Sequence, residues 1–189
     1  MKDTLGIAKE LIGCTLVSAG SDGAAAGRIV ETEAYLGKAD SAAHSARGRA
    51  DGRTEVLYRQ GGYAYVYLIY GMYFCFNIST GPKGVPECVL IRALEPLEGV
   101  GLMRARRGRE KLSDFCSGPG KLCRAMGISR EQYGEDLTGD RLFILPRRPD
   151  DVPEIAVTPR INIEYAAEHK AMPWRFVDKN SRYLSVKLK

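Results

Sequence analysis

The stretch YAYVYLIYGMYFCFNIST, residues 63–80, is the densest apolar section of the chain, with β-branched and aromatic side chains on both sides of Gly71. This composition predicts a β-hairpin centred on Gly71, since glycine accepts the positive φ of tight hairpin turns. Period-two alternation puts Tyr63, Tyr65 and Tyr67 on one face and Ala64, Val66 and Leu68 on the other, with Tyr70 beside the turn. Two more strand patterns flank the hairpin: GRIVETEAYLG, residues 27–37, and ECVLIRALEP, residues 87–96, which Pro96 is expected to stop.

Further out, residues 3–13 read as a helix followed by a short apolar stretch, 14–17, and residues 21–27 as a small-residue turn. Residues 37–62, rich in Gly, Ala, Ser and Arg, read as an ordered loop with short helices around 41–45 and 55–58. A basic loop or helix is expected over 101–109. A helix is expected over 121–128, introduced by Gly118, Pro119 and Gly120, and strands near 142–145 and 161–163 precede an aromatic, basic C-terminus. No internal repeat or linker divides the chain, so residues 1–189 are expected to form a single mixed α/β (α+β) domain.

Composition narrows the classes. Of 189 residues, 44% are apolar, enough for a sizeable core. No apolar run approaches the roughly eighteen residues of a membrane-spanning helix, and no membrane partner is expected. The net charge is +5, from 28 Lys and Arg against 23 Asp and Glu. The excess lies in the second half, where Arg104, Arg106, Arg107, Arg109 and Lys111 form one group and Lys170, Arg175, Lys179, Arg182, Lys187 and Lys189 another. A polyanion-facing surface fits this placement, as does an ordinary solvated one. Five cysteines without a CxxC pair, and no apolar segment at the N-terminus, suit a reducing cytosolic compartment. With only His44 and His169 and no short-spaced ligand set, neither a metal site nor a cofactor is expected.

Glu31 and Glu33 stand out, because two acids two residues apart in an apolar strand share a face, together with Ile29 and Tyr35. Such a pair either activates water beneath a pocket or is solvated or paired with arginine. His44 either donates to a ligand or caps local backbone. Tyr70 either packs on its turn or projects to stack with a base. Asn77 and Arg92 are polar residues inside apolar strands, suited to line a pocket. SGPGKL, residues 117–122, lacks the earlier glycine of a phosphate loop and has Leu122 at the magnesium-binding position, which disfavours triphosphatase chemistry. The helix start there and Lys121 still suit one backbone phosphate, with a plain turn as the alternative.

The combination of GRIVETEAYLG with AAHS, YVYLIYGMYFCFNIS and VLIRALEPLEG closely resembles the alkyladenine (3-methyladenine) DNA glycosylase family. The resemblance continues through SGPGKLCRAMGI, GDRLFI, TPRINI and PWRF, and so covers nearly the whole chain from about Leu5. It implies a single compact domain with a curved antiparallel sheet, surrounding helices and a protruding hairpin. It also implies a monofunctional enzyme without metal that flips damaged purines out of double-stranded DNA and hydrolyses the base–sugar bond. By motif position, Glu33 corresponds to the general base, Glu31 to a framework position, and Arg92 to the arginine that helps hold the water and carboxylate. Tyr35, His44, Tyr67 and Asn77 match residues of the base pocket, and Tyr70 matches the residue that wedges into the duplex. Ile163 matches a position whose backbone carbonyl meets the catalytic water, although Asn162 stands where the family often has glycine. A monomer acting in the DNA-containing compartment, cytoplasmic or nucleoid-associated if bacterial, is the corresponding expectation.

Overall fold

The computed structural model describes residues 2–48, 50 and 52–188, so Lys189 lies outside the described residues. Its frame is an eight-stranded, curved antiparallel sheet made of β1 (Thr15–Gly20), β2 (Gly23–Tyr35), β3 (Ala64–Ile69), β4 (Tyr73–Ser79), β5 (Cys88–Glu98), β6 (Leu142–Leu145), β7 (Ile155–Thr158) and β8 (Arg175–Asp178). The order is β3-β4-β5-β2-β1-β6. One edge of β2 pairs β5 along most of its length. The other pairs β1 over Gly23–Arg28 and then β8 over Glu31–Glu33, and β7 extends the sheet beyond β8. Helices α1 (Thr4–Glu10), α2 (Val100–Arg107) and α3 (Pro119–Met126) surround the sheet.

The main core joins sheet residues Ile29, Ala34, Phe76, Ile91 and Leu94 to Ala8 of α1, Met103 of α2, and Leu122 and Met126 of α3. A second cluster, Val30, Ala93, Val177, Tyr183 and Leu184, seats the C-terminal segment. The hairpin forms as its alternation requires: Ala64 and Val66 enter the main core, while Tyr65 joins a separate aromatic cluster with Tyr63 and Tyr67. Its turn places Tyr70 at φ 53° and Gly71 at φ 69°, and Met72 N–H donates to the Ile69 carbonyl at 3.2 Å. A bulky residue at positive φ is strained, and such strain concentrates at functional tips.

Four local expectations are corrected. The turn at 21–27 shrinks to Ser21–Asp22, because Ala24, Ala25 and Ala26 pair with β1 inside β2. The backbone of this stretch packs closely on Gly99, where a Cβ would lie 2.3 Å from the Ala24 carbonyl oxygen. Pro96 does not end β5. It lies opposite Gly27 beside a register shift, where a missing N–H is tolerated, and Gly27 is itself crowded by Leu94. Residues 41–45 form turns, closed by Ala43 N–H on the Asp40 carbonyl at 2.9 Å and Ala46 N–H on the Ala43 carbonyl at 3.1 Å, while the Asp40 carboxylate accepts Ala42 N–H in a local side-chain-to-backbone turn. Residues 161–163 are not a strand, since Asn162 has φ 57°, a left-handed bend that asparagine tolerates better than most residues.

Candidate active site

The site is built where β2 loses regular pairing. Register shifts between Ile29 and Glu31 and between Glu31 and Thr32 insert an extra residue and reset the alternation. Ile29 consequently joins the main core, not the face it was expected to share with the two acids. Glu31 and Glu33 both turn toward Arg92 of β5, and both are fully buried. Glu33 Oε2 accepts hydrogen bonds from the Tyr35 hydroxyl at 2.9 Å and from Arg92 Nη1 at 3.2 Å, while Oε1 accepts Ile161 N–H at 2.7 Å. Glu31 Oε1 accepts from Arg92 Nε at 3.1 Å, Arg175 Nε at 2.8 Å and Ser185 Oγ at 2.7 Å, and its Oε2 accepts Ser185 N–H at 2.6 Å.

Two glutamates and two arginines thus neutralise one another in a buried cluster. Burial alone would lower the pKa of Arg92, but the charges of Glu33 and Glu31 outweigh it and raise the value, so this guanidinium stays charged. Burial, and then the charge of Glu33, raise the Tyr35 pKa well above the usual phenol value, which keeps its hydroxyl a donor to that carboxylate.

Above this cluster opens a cavity of about 590 Å³, walled by Tyr35, His44, Tyr65, Tyr67, Asn77, Arg92, Ile161 and Ile163 and reaching Tyr70. Glu33 lies just beneath the floor, linked to it by Tyr35, Arg92 and Ile161. His44 stands edge-on to Tyr67, with ring centroids 4.4 Å apart, and its Nδ1 is 2.7 Å from the Tyr65 hydroxyl. Asn77 is held by Nδ2 donating to the Tyr65 carbonyl at 3.1 Å. The result is a slot of planar faces with few polar groups, each oriented by a neighbour, a shape suited to a flat heterocycle.

The rim combines apolar and basic groups. Tyr70 is 76% exposed and Met72 66% exposed at the hairpin tip, and Arg107, Arg109, Lys121 and Arg124 also line the cavity. Partial burial, and then the nearby charges of Arg124 and Arg109, lower the Arg107 pKa. The C-terminal basic group is partly paired, as are Arg104 with Glu110 and Arg106 with Asp22. Arg175 is buried against Glu31, Lys179 pairs with Glu154, and Arg182 donates to the Tyr183 hydroxyl, so part of the charge excess is structural.

The methylpurine-DNA glycosylase family model matches residues 1–182. The chain belongs to the methylpurine-DNA glycosylase family. A Bacillus cytotoxicus relative, whose assigned name of 3-methyladenine DNA glycosylase is itself provisional, is 49% identical over 97% of this chain and 95% of its own length. Relatives with the same provisional name from Desulfitobacterium hafniense and Bacillus cereus are 42% and 46% identical, each over 98% of this chain and 95% of its own.

In this methylpurine-DNA glycosylase family member, the expected residues Glu33, Arg92, Tyr35, His44, Tyr67 and Asn77 converge on one cavity, with Tyr70 at its mouth. Ile163 also lines it, but its carbonyl accepts Ala166 N–H at 2.9 Å, and the backbone contact with Glu33 comes from Ile161. Sequence reasoning missed the Asp40–Arg160 pair. Both side chains are fully buried, and the Arg160 guanidinium lies between the rings of Tyr35 and Trp174, at 4.7 and 4.8 Å from their centroids. This clamp sets the chain just before Ile161. Arg160 lies within the TPRINI motif, but no local signal ties it to an acid 120 residues earlier. Ser185 and Tyr65 were likewise missed as site residues. Tyr65 was legible only as one of the tyrosines on the shared hairpin face.

Proposed function

We propose that the protein is a monofunctional DNA glycosylase that extrudes damaged purines from double-stranded DNA and hydrolyses the N-glycosidic bond. Its substrates are 3-methyladenine and 7-methylguanine, with hypoxanthine and 1,N6-ethenoadenine as further candidates. The observation that carries this reading is a buried carboxylate, Glu33, held by Tyr35, Arg92 and Ile161 under a cavity of aromatic walls.

Three bonds hold Glu33, two on Oε2 and one on Oε1. Oε1 is therefore the oxygen with a lone pair left to take a proton, and water reaches it from the Ile161 side of the cavity floor. In the reaction, Glu33 accepts a proton from water as the water oxygen bonds to C1′. The C1′–N9 bond breaks and its electron pair leaves with the base, producing an abasic site. The carboxylate also favours the positive charge that develops on the sugar.

Tyr70 enters the duplex and occupies the space of the flipped nucleotide. Tyr35, His44 and Tyr67 face the extruded base, and Asn77 opposes the exocyclic amine of normal guanine. A base made cationic by alkylation is attracted to aromatic faces and departs more readily. Arg107, Arg109, Lys121 and Arg124 meet backbone phosphates, and the protein works as a monomer in the compartment that holds the DNA.

The test is single-turnover base release, in chelator, from matched duplexes carrying each lesion, with undamaged adenine as control. Glu33→Gln is expected to bind damaged duplex and release no base. Release by that variant at the wild-type rate would show that Glu33 is not the base.

A further inference from the structure

Glu31 is a fully buried acid that the proposed chemistry does not use. Among the described residues it does not line the cavity, and its hydrogen bonds run to Arg92, Arg175 and Ser185. Ser185 grips both of its oxygens, the hydroxyl on Oε1 and the backbone N–H on Oε2. The same hydroxyl accepts from Arg92 Nε at 3.4 Å and Nη2 at 3.3 Å. Arg175 completes the grip, because its Nη2 donates to the Val186 carbonyl at 2.7 Å while its Nε serves Glu31. A ten-residue stretch without regular secondary structure, 179–188, is thereby fastened to the back of the guanidinium that meets Glu33.

We propose that Glu31 and Ser185 are positioning residues that turn Arg92 so that it offers Glu33 a single N–H, making the C-terminal segment a working part of the site. This rests on the reading of Glu33 as the base. A guanidinium beside one carboxylate prefers a two-pronged pair that engages both oxygens. Here Nε and Nη2 are already committed to Glu31 and Ser185, so only Nη1 reaches Glu33, and it reaches Oε2. Oε1 is left to Ile161 N–H and water. Release of Arg92 from this anchor lets it fork across both Glu33 oxygens and occupy the lone pair that the reaction needs. Arg175 supplies the second positive charge that lets Glu31 hold Arg92 without leaving the cluster negative.

Ser185→Ala removes the hydroxyl contacts and keeps the backbone N–H on Glu31; Ser185→Thr retains the hydroxyl. The measurements are single-turnover release, damaged-duplex affinity, melting temperature and the ¹⁵N–¹H resonance of Arg92 Nε. Ser185→Ala is expected to slow release by about ten- to a hundredfold, the range for a misdirected catalytic group, with duplex affinity nearly unchanged. It should also shift the Arg92 Nε resonance toward that of a less strongly bonded guanidinium, and Ser185→Thr should restore most of the rate. Glu31→Gln, shown folded by circular dichroism, should reproduce the slow release. The proposal is overturned if folded variants release base at the wild-type rate, or if rate, affinity and melting temperature fall together without rescue by threonine. Release by the wild type that Glu33→Gln does not abolish overturns the reading of Glu33 as the base, no release at all overturns the glycosylase reading, and either result takes this inference with it. Release that depends on Glu33 but not on Ser185 or Glu31 overturns this inference alone.

Discussion

Replacing Asp40 with asparagine should unsettle the fold and the site together. Asp40 Oδ2 accepts Arg160 Nη1 and Leu36 N–H, and Oδ1 accepts Arg160 Nη2 and Ala42 N–H, so both oxygens are fully engaged. An amide group puts donors where two of those donors already point and removes the charge opposite a guanidinium whose side chain is fully buried. Breaking a buried pair from one side costs about 3–5 kcal/mol, because it strands the other charge. Domains hold only about 5–15 kcal/mol in total, so this is a large share. At roughly 2–4 °C per kcal/mol for a chain of this size, the melting temperature should fall by about 6–20 °C. Arg160 also supports Tyr35 and precedes Ile161, so base release at a temperature where the variant remains folded should fall as well. Calorimetry and single-turnover release measure the two effects. Asp40→Asn combined with Arg160→Met, which removes the stranded cation, should recover part of the lost stability. A melting temperature lowered by less than about 3 °C, or a double variant less stable than the single one by the full cost of a second independent loss, would refute the claim that the two side chains act as a pair.

Tyr70→Ala should leave stability within about 0.5 kcal/mol, because the side chain is mostly exposed, yet slow release from duplex more than from single strands; equal effects on the two substrates count against the wedge. Lys121→Ala should weaken duplex binding across sequences and reduce the slope of log affinity against log salt by about one, as read by anisotropy titrations; an unchanged slope removes Lys121 from the phosphate contacts. Burial pushes the Cys88 and Cys116 thiols up to about 12 and raises those of Cys75 and Cys123 as well, so at pH 8 a disulfide reagent should titrate Cys14 quickly and the other four only after denaturation. The partly buried Tyr35 and Tyr67 have raised pKa values, so the unfolded chain ionises first as pH climbs past about 10. Native stability should therefore decline above that pH, and chemical denaturation at pH 9 and 11 would show no such difference if these phenols were ordinary.

Local pattern determined a good deal of this protein. Alternating tyrosines around Gly71 specified the hairpin and its two faces, because side-chain period in a strand is a property of a few adjacent residues. The motifs ETEAY, AAHS, LIYGMYF and VLIRALEP carried the family and the residues that meet in the cavity. Tertiary structure decided what depended on distant partners. The bulge in β2 reset the alternation at Ile29 where one edge of the strand pairs β5 and the other passes from β1 to β8, and pairing register is a property of two segments at once. Pro96 stayed within β5 because its partner at the shift is Gly27. The same holds for the clamps behind Glu33: Asp40 with Arg160, and Glu31 with Arg175 and Ser185, join residues 120 and more than 140 positions apart. Burial makes those charges seek partners, but only the folded chain selects which ones are within reach.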